Sequence, residues 1–417
     1  MSPHLNHNVV ASLDLQREIS RIAALPGVRS AFTWLHNQEP RFAQWQLEMA
    51  RIPAPPFGEA ARGTWLLERF RELGLQEISI DEVGNVFGLK PGRGPRCMSL
   101  SAHVDTVFPA GTPLNVRQQG SRLYGPGVSD NGAGLAALLA IVSSFQAATL
   151  PVCAPILFIG NVGEEGEGDL RGMRHIFSSS RWKDSIAASL VLDGAGSDTI
   201  VAEALGSSRF EIIARGPGGH SWSDFGMPNP IVALARAVHD FCQVQVPASP
   251  KTTFNIGVIR GGTSVNSIPE SASMRVDIRS TSGAEIERLE AALHFAVERA
   301  VDGESQDAER RNPPQRRFSG LTHEMIGIGK RPAGELPVDA RILQIIRAVD
   351  AHLGNTALVQ RASTDANIPL SLGREAIAIG GGGSGGGAHT LQEWFDCTGR
   401  ELGLKRILLT LLALAGA

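Results

Sequence analysis

Cysteine is scarce in this chain of 417 residues. The four present, Cys97, Cys153, Cys242 and Cys397, are far apart and never form a C-x-x-C pair. That spacing argues against a disulfide framework or a thiolate metal site and favours reduced thiols in a cytoplasmic protein. An excess of one charge is missing as well. The formal net charge is −3, so neither a nucleic-acid partner nor a basic membrane-binding face is implied. No apolar run approaches the roughly 18 residues needed to span a membrane. Residues 1–8 are polar and carry two histidines; without an apolar stretch there, no secretory leader is expected. What remains is an ordinary globular composition long enough for two or three domains.

The pattern along the chain is strand–helix alternation. Residues 1–13 are expected to be poorly ordered. Helices are expected over Leu15–Ala24, from near Arg29 through Met49, and over Glu59–Leu73, where Trp65, Leu66, Phe70 and Leu73 share a face and Gly74 ends it. Short apolar strands follow at 78–80, 86–89 and 97–100. A strand pair within 115–124 leads to a glycine-rich turn, and Leu135–Phe145 reads as a helix apolar nearly all round, hence buried. Two further apolar strands, 154–160 and 189–192, complete a pattern that implies a mostly parallel sheet covered by helices on both faces. After Gly206 the order becomes β-α-β-β-α-β, a ferredoxin-like α+β unit inserted in the first domain. The expected domains are therefore 1–206 and 331–417 forming one, with 207–330 the other. Within the insert, Asp302–Gln315 is charged, contains Pro313-Pro314, and reads as a solvated loop. The first domain resumes with a helix over 338–353, a strand at 376–379, a glycine tract at 380–387 and a closing helix from Arg400.

Chemistry gathers at the ends of the apolar strands. His103 and Asp105 stand two apart at the end of the third strand, where alternate side chains point the same way. Asp130 follows the glycine-rich turn, Glu164 and Glu165 follow the strand 154–160, Asp193 follows 189–192, and His389 follows the glycine tract. Open α/β sheets bind ligands beyond these strand ends. So many carboxylates in one place would repel unless a cation neutralised them. Imidazole and carboxylate without thiolate suit zinc, with cobalt or manganese as alternatives, and the number of donors suits two divalent ions. Taken singly, each residue has a plainer account. Asp130 could cap the following helix, Glu164-Glu165 could be a solvated turn, and Asp193-Gly194 an ordinary bend.

Taken together, these residues resemble the co-catalytic zinc metallopeptidase family that includes peptidase T, carboxypeptidase G, aminoacylase, acetylornithine deacetylase and succinyl-diaminopimelate desuccinylase. The resemblance runs from about residue 30 onward. It implies that His103 and Asp193 ligate the first metal and that Asp105 orients His103 from behind. It implies that Asp130 bridges both ions, Glu165 and His389 ligate the second, and Glu164 is the general base. Adjacent carboxylates at a strand end point in different directions, which suits such a division between Glu164 and Glu165. In the inserted domain, the resemblance implies that His220 in Gly218-Gly219-His220-Ser221 supports the substrate carbonyl across a homodimer formed through that lid. Asn266 resembles the lid asparagine, and Arg279 the arginine that pairs with a substrate carboxylate. Thr364 and Asp365, in Ser363-Thr364-Asp365-Ala366-Asn367, resemble a substrate-loop signature of the peptidase T branch. The other eight histidines match no motif. Plainer accounts of the lid residues are a loop histidine, a turn asparagine and a surface arginine. By the same resemblance, an aspartate at 193 and the 363–367 loop imply a peptidase acting on di- or tripeptides. An N-acyl-amino-acid deacylase of the same mechanism is the alternative. The long glycine tract is expected to make its loop mobile.

Overall fold

The structure, a computed structural model, describes residues 12–150, 152–312 and 317–417. The expectation of poor order over 1–13 therefore lies outside the described residues, apart from Ser12 and Leu13. Those two begin a helix: Ser12 Oγ accepts the Leu15 N–H at 3.3 Å and caps Leu13–Ala24. The chain divides into two compact units, one ending at Ala204 and resuming at Glu335, the other running Leu205–Gly334.

The first unit is built on a nine-stranded sheet. Its central strands, in spatial order, are Ile156–Asn161, Cys97–His103, Ile186–Leu192 and Glu375–Ile379, all mutually parallel. Val86–Lys90 joins one side antiparallel, with Gln76–Ile80 beyond it. These central strands are apolar almost without alternation because helices cover both faces. Helix Gly132–Ala147 is buried from Gly132 to Phe145, so its even apolarity is a packing requirement. The register matters most for function. His103 pairs with Asn161, Ala102 with Leu192, and Leu192 with Ile379. The strands thus finish at one level, and the residues just past their ends share one rim. A small antiparallel sheet, Ser384–Gly386, Trp394–Asp396, Arg122–Tyr124 and Arg117–Gln119, completes the unit.

The second unit is a four-stranded antiparallel sheet in the order Thr252–Gly261, Ser271–Ser280, Gly206–Arg215, Thr322–Arg331. Helices Pro230–Cys242 and Gly283–Arg311 pack with it through Leu234, Phe241, Leu289, Leu293 and Val297. This is the split β-α-β arrangement.

Several local expectations change. The continuous helix from Arg29 is two, Pro26–Asn37 and Glu39–Ala50. Pro40 lies in the first turn of the second, where its missing N–H is not needed, whereas inside one long helix it would remove a bond. The solvated loop expected at 302–315 is helical as far as Arg311. Its charges are paired along the helix: Arg311 reaches Glu304 at 2.7 Å and Arg236 reaches Asp307 at 2.6 Å, while Glu304 and Ala308 are buried. Strands Thr199–Ala204, Leu358–Ala362 and Trp394–Asp396 carry no pattern that marks them in the sequence. The start of the glycine tract is tightly packed, whereas Ser384, Gly385 and Gly387 are exposed. Gly380, Gly381 and Gly382 are buried, and a Cβ on any of them would come within 2.6 Å of a backbone oxygen. Glycine is there because neighbouring backbones approach too closely for any side chain.

Candidate metal centre

His103 is the last residue of its strand and is almost completely buried. Its Nδ1 lies 3.1 Å from the Asp105 carbonyl oxygen and 3.6 Å from the Asp105 carboxylate. With the ring proton held on that side, Nε2 is presented as a ligand atom. It faces Asp130 Oδ1 at 3.3 Å and Asp193 Oδ1 at 3.9 Å. Burial alone would lower the His103 pKa, yet the carboxylates of Asp105, Asp130 and Asp193 lift it well above the usual histidine value.

Asp130 is the pivot. One oxygen faces His103, and the other lies 3.0 Å from His389 Nε2. The same His389 nitrogen is 3.2 Å from Glu165 Oε1. Burial works to raise the Asp130 pKa, but the two facing imidazoles hold it far below the usual carboxylate range. His389 is pushed up to about 9, chiefly by Asp130. Glu165 is pushed up to about 8 by burial, with Asp130 and Glu164 adding to the effect.

Asp130 does not cap the helix that follows. That role belongs to Asn131, whose Oδ1 accepts the Gly134 N–H at 3.1 Å. The same oxygen accepts the Gly194 N–H at 3.1 Å, and Nδ2 donates to the Leu192 carbonyl at 2.8 Å. One amide thus starts the helix and holds the bend after Asp193. Asp105 has a task beyond His103, because its two oxygens accept the backbone N–H groups of Glu164 and Glu165 at 3.1 and 2.8 Å.

Three further buried residues support the site; Asp365 lies in the 363–367 loop singled out by the sequence, while Arg62 and Glu393 carry no motif. Arg62 is buried and donates to the carbonyls of Val104 at 2.8 Å and Ile52 at 2.6 Å, fixing the backbone between His103 and Asp105. Asp365 is buried and accepts from Asn161 Nδ2 at 2.6 Å. Burial, reinforced by Glu164, pushes its carboxyl up to about 8. Glu393 is fully buried and accepts three backbone N–H groups, those of Gly127, Ser129 and Asp130. Its nearness in sequence to His389 was the signal available, but an isolated glutamate before an aromatic residue looks like surface.

The donors fit cations. Among the described residues, three sets have ligand atoms within 4.8 Å of one another: His103, Glu164 and Glu165; His103, Asp130 and Asp193; and Asp130, Glu165 and His389. Asp130 Oδ1 is buried without a hydrogen-bond partner. A carboxyl pushed up as far as Glu165 marks a place where negative charge needs a positive neighbour. Imidazole nitrogen and carboxylate oxygen are donors suited to a divalent metal of the zinc, cobalt or manganese type. A cavity of about 460 Å³ adjoins Asp130 and Asp193, lined further by Asp198 and by Gly383–Gly386.

Thr364 is buried within its turn, where its Oγ1 accepts the Ala366 N–H at 3.2 Å. The other three substrate candidates belong to the second unit. His220 is exposed, and its Nδ1 accepts the Trp222 N–H at 3.2 Å. Asn266 Oδ1 accepts from Ser264 Oγ at 2.5 Å. Arg279 donates through Nε to Asp277 at 2.7 Å, an ion pair within its own strand.

Fold and site together define a metal-dependent hydrolase. The chain belongs to peptidase family M20/M25/M40, whose family model matches residues 99–413. A succinyl-diaminopimelate desuccinylase of Burkholderia vietnamiensis (strain G4 / LMG 22486) is 26% identical over 255 residues, covering 56% of this chain and 67% of that protein. Carboxypeptidase G2 of Pseudomonas sp. (strain RS-16) is 25% identical over 261 residues, covering 60% of this chain and 61% of that one. The match therefore spans about two thirds of the first relative's length and less of the second's. Among solved structures, aminopeptidase PepT of Bacillus cereus ATCC 10987 superposes with a TM-score of 0.72 at 20% identity, over 90% of this chain and 99% of that chain. At that identity the likeness is one of fold.

Proposed function

We propose that this hydrolase is an exopeptidase that cleaves the amide bond of di- or tripeptides, with two divalent cations, zinc first, at the centre. The observation that carries the reading is Asp130 placed between His103 and His389, one carboxylate oxygen to each. His103 and Asp193 would hold one cation, Glu165 and His389 the other, with Asp130 shared. When bound, such ions polarise the scissile carbonyl and acidify a water. Glu164 is the general base: it takes the proton of the attacking water and returns it to the leaving nitrogen. Asp105 sets the backbone of Glu164 and Glu165 and the ring of His103.

The cavity beside the centre supports a peptide with a free amino group. Beyond the proposed ligands, its lining among the described residues includes the carboxylate of Asp198 and no lysine or arginine, so an ammonium suits it better than an anionic acyl tail. About 460 Å³ is within the size range of small-ligand pockets. By the family resemblance, residues 207–330 serve as a lid and dimerisation domain. His220 and Asn266 would assist at the carbonyl, Arg279 at a substrate carboxylate, and Thr364 in the substrate loop. A cytoplasmic setting agrees with four unpaired cysteines. Among the described residues no helix is long and apolar enough to cross a membrane.

The likeness to a desuccinylase favours a second reading, an N-acyl-amino-acid deacylase of the same mechanism. Zinc-loaded protein assayed on dipeptides, tripeptides, and N-acetyl and N-succinyl amino acids separates the two. Turnover of the free-amine peptides is expected. Turnover confined to the N-acyl compounds would replace the exopeptidase reading with the deacylase one.

A further inference from the structure

We propose that Glu393 is a positioning residue for the metal centre, locking the loop that carries Asp130 to the segment that carries His389. The proposal rests on the two-cation reading above. Three residues separate His389 from Glu393, and between them the chain turns tightly. Thr390 Oγ1 donates to the Gly387 carbonyl at 2.7 Å, and the Glu393 N–H to the Thr390 carbonyl at 3.2 Å. His389 itself sits at φ 65°, in the left-handed region that side chains rarely adopt. Such a backbone persists only where its surroundings fix it.

Glu393 supplies that fixing from below. One oxygen accepts the N–H groups of Ser129 and Asp130, both at 2.7 Å, and the other accepts that of Gly127 at 2.8 Å. Its own carbonyl accepts the Gly125 N–H at 3.0 Å. Immediately beyond, Trp394 pairs with Tyr124 in the small sheet. The two ligand-bearing segments therefore leave one pair of strands, and the Glu393 carboxylate ties them together at the point of departure. Asp130 and His389 face each other at 3.0 Å, and that distance depends on both segments keeping their places.

The carboxylate is specific to this task. Three N–H donors converge on two oxygens. An amide in the same place keeps one acceptor and turns its NH₂ towards a backbone N–H that has nothing to accept it. Glu393→Gln should loosen the set formed by Asp130, Glu165 and His389 more than His103 and Asp193.

The test is zinc binding to chelator-treated full-length protein, followed by calorimetry and chelator competition. Wild type is expected to bind two equivalents. Glu393→Gln should bind one of them 10–100-fold more weakly, the scale of losing a group that orients a ligand, and the other, which shares Asp130, by a smaller factor. Added zinc should restore kcat with little change in KM. Glu393→Asp, which keeps the charge on a shorter arm, should fall between. If the glutamine variant fails to fold by circular dichroism, the aspartate variant decides by the same readout. Equal zinc affinity at both sites in variant and wild type, with or without lowered metal-free stability, overturns the proposal. Absence of zinc binding by wild type instead overturns the reading of the centre and this inference with it.

Discussion

Asp105 accepts the backbone N–H of Glu165 at 2.8 Å, and with its other oxygen it takes the N–H of Glu164. The residue that backs His103 therefore also sets the backbone of the proposed base and of a proposed ligand. Replacing one oxygen by an NH₂ group in Asp105→Asn places a donor against a donor. Zinc affinity or kcat/KM should fall 10–100-fold. A variant indistinguishable from wild type in both would remove Asp105 from the mechanism.

Glu164→Ala should separate chemistry from metal binding. As the general base, Glu164 contributes on the order of 10²–10⁴ in rate. The variant should lose that factor in kcat while elemental analysis still finds close to two metal ions per chain. Retained turnover would assign the base elsewhere, with Asp365 the next buried carboxyl to examine.

Stability of the metal-free protein should fall as pH rises. His389, ordinarily near 6.5, is lifted to about 9 by Asp130. Its contribution is fully present below 6.5 and lost as pH climbs through 9. Glu165, ordinarily near 4.5, is raised to about 8 by burial. A carboxyl raised in the fold opposes ionisation, so it too costs stability as pH rises through that window. The two effects share a sign, Glu165 acting from about 4.5 to 8 and His389 from about 6.5 to 9, and they overlap between about 6.5 and 8. Melting temperatures of chelated protein should therefore decline from pH 6 to pH 9. Added zinc should oppose the decline, because its ligands bind it deprotonated. A metal-free melting temperature that climbs over this range would contradict the arrangement of charges.

Arg406 and Asp350 form a buried two-pronged ion pair, at 2.6 Å through Nε and 2.9 Å through Nη2. Removing one partner strands the other, at a cost of about 3–5 kcal/mol. Asp350→Ala should lose about that much in denaturant unfolding. The double change Arg406→Met with Asp350→Leu should recover most of it. A mild Asp350→Ala would show that water reaches the pair.

The candidate metal-binding rim was legible because His103, Asp105, Glu164, Glu165 and Asp193 follow short apolar runs, which in alternation with helices place their ends together, while Asp130 and His389 follow glycine-rich turns. The seven residues that the family pattern singles out lie there: His103, Asp105, Asp130, Glu164, Glu165, Asp193 and His389. What stayed hidden acts through the backbone. Glu393 and Arg62 bond to main-chain groups, so no partner side chain announces them in the sequence. Leu358–Ala362 was hidden for a different reason: it lies at a sheet edge, mostly exposed, and edge strands lack the continuous apolarity that marks central ones. Helix Gly283–Arg311 extends beyond its apolar repeat because its last turns are charged. Those charges are paired across turns and to Arg236, which periodicity of apolar residues does not register.

The run Gly380–Gly383 bears on how such chains are compared. Gly382 packs against Gly403 of the closing helix so tightly that a Cβ on Gly403 would lie 2.3 Å from the Gly382 Cα. By composition the run is low-complexity sequence, the kind that filters discard as uninformative. Here it is a junction where the bend after Asp193, the helix behind Asp130 and the closing helix converge. Masking it would erase a packed part of the core. An alanine introduced there should be among the costlier single-methyl changes the chain can suffer.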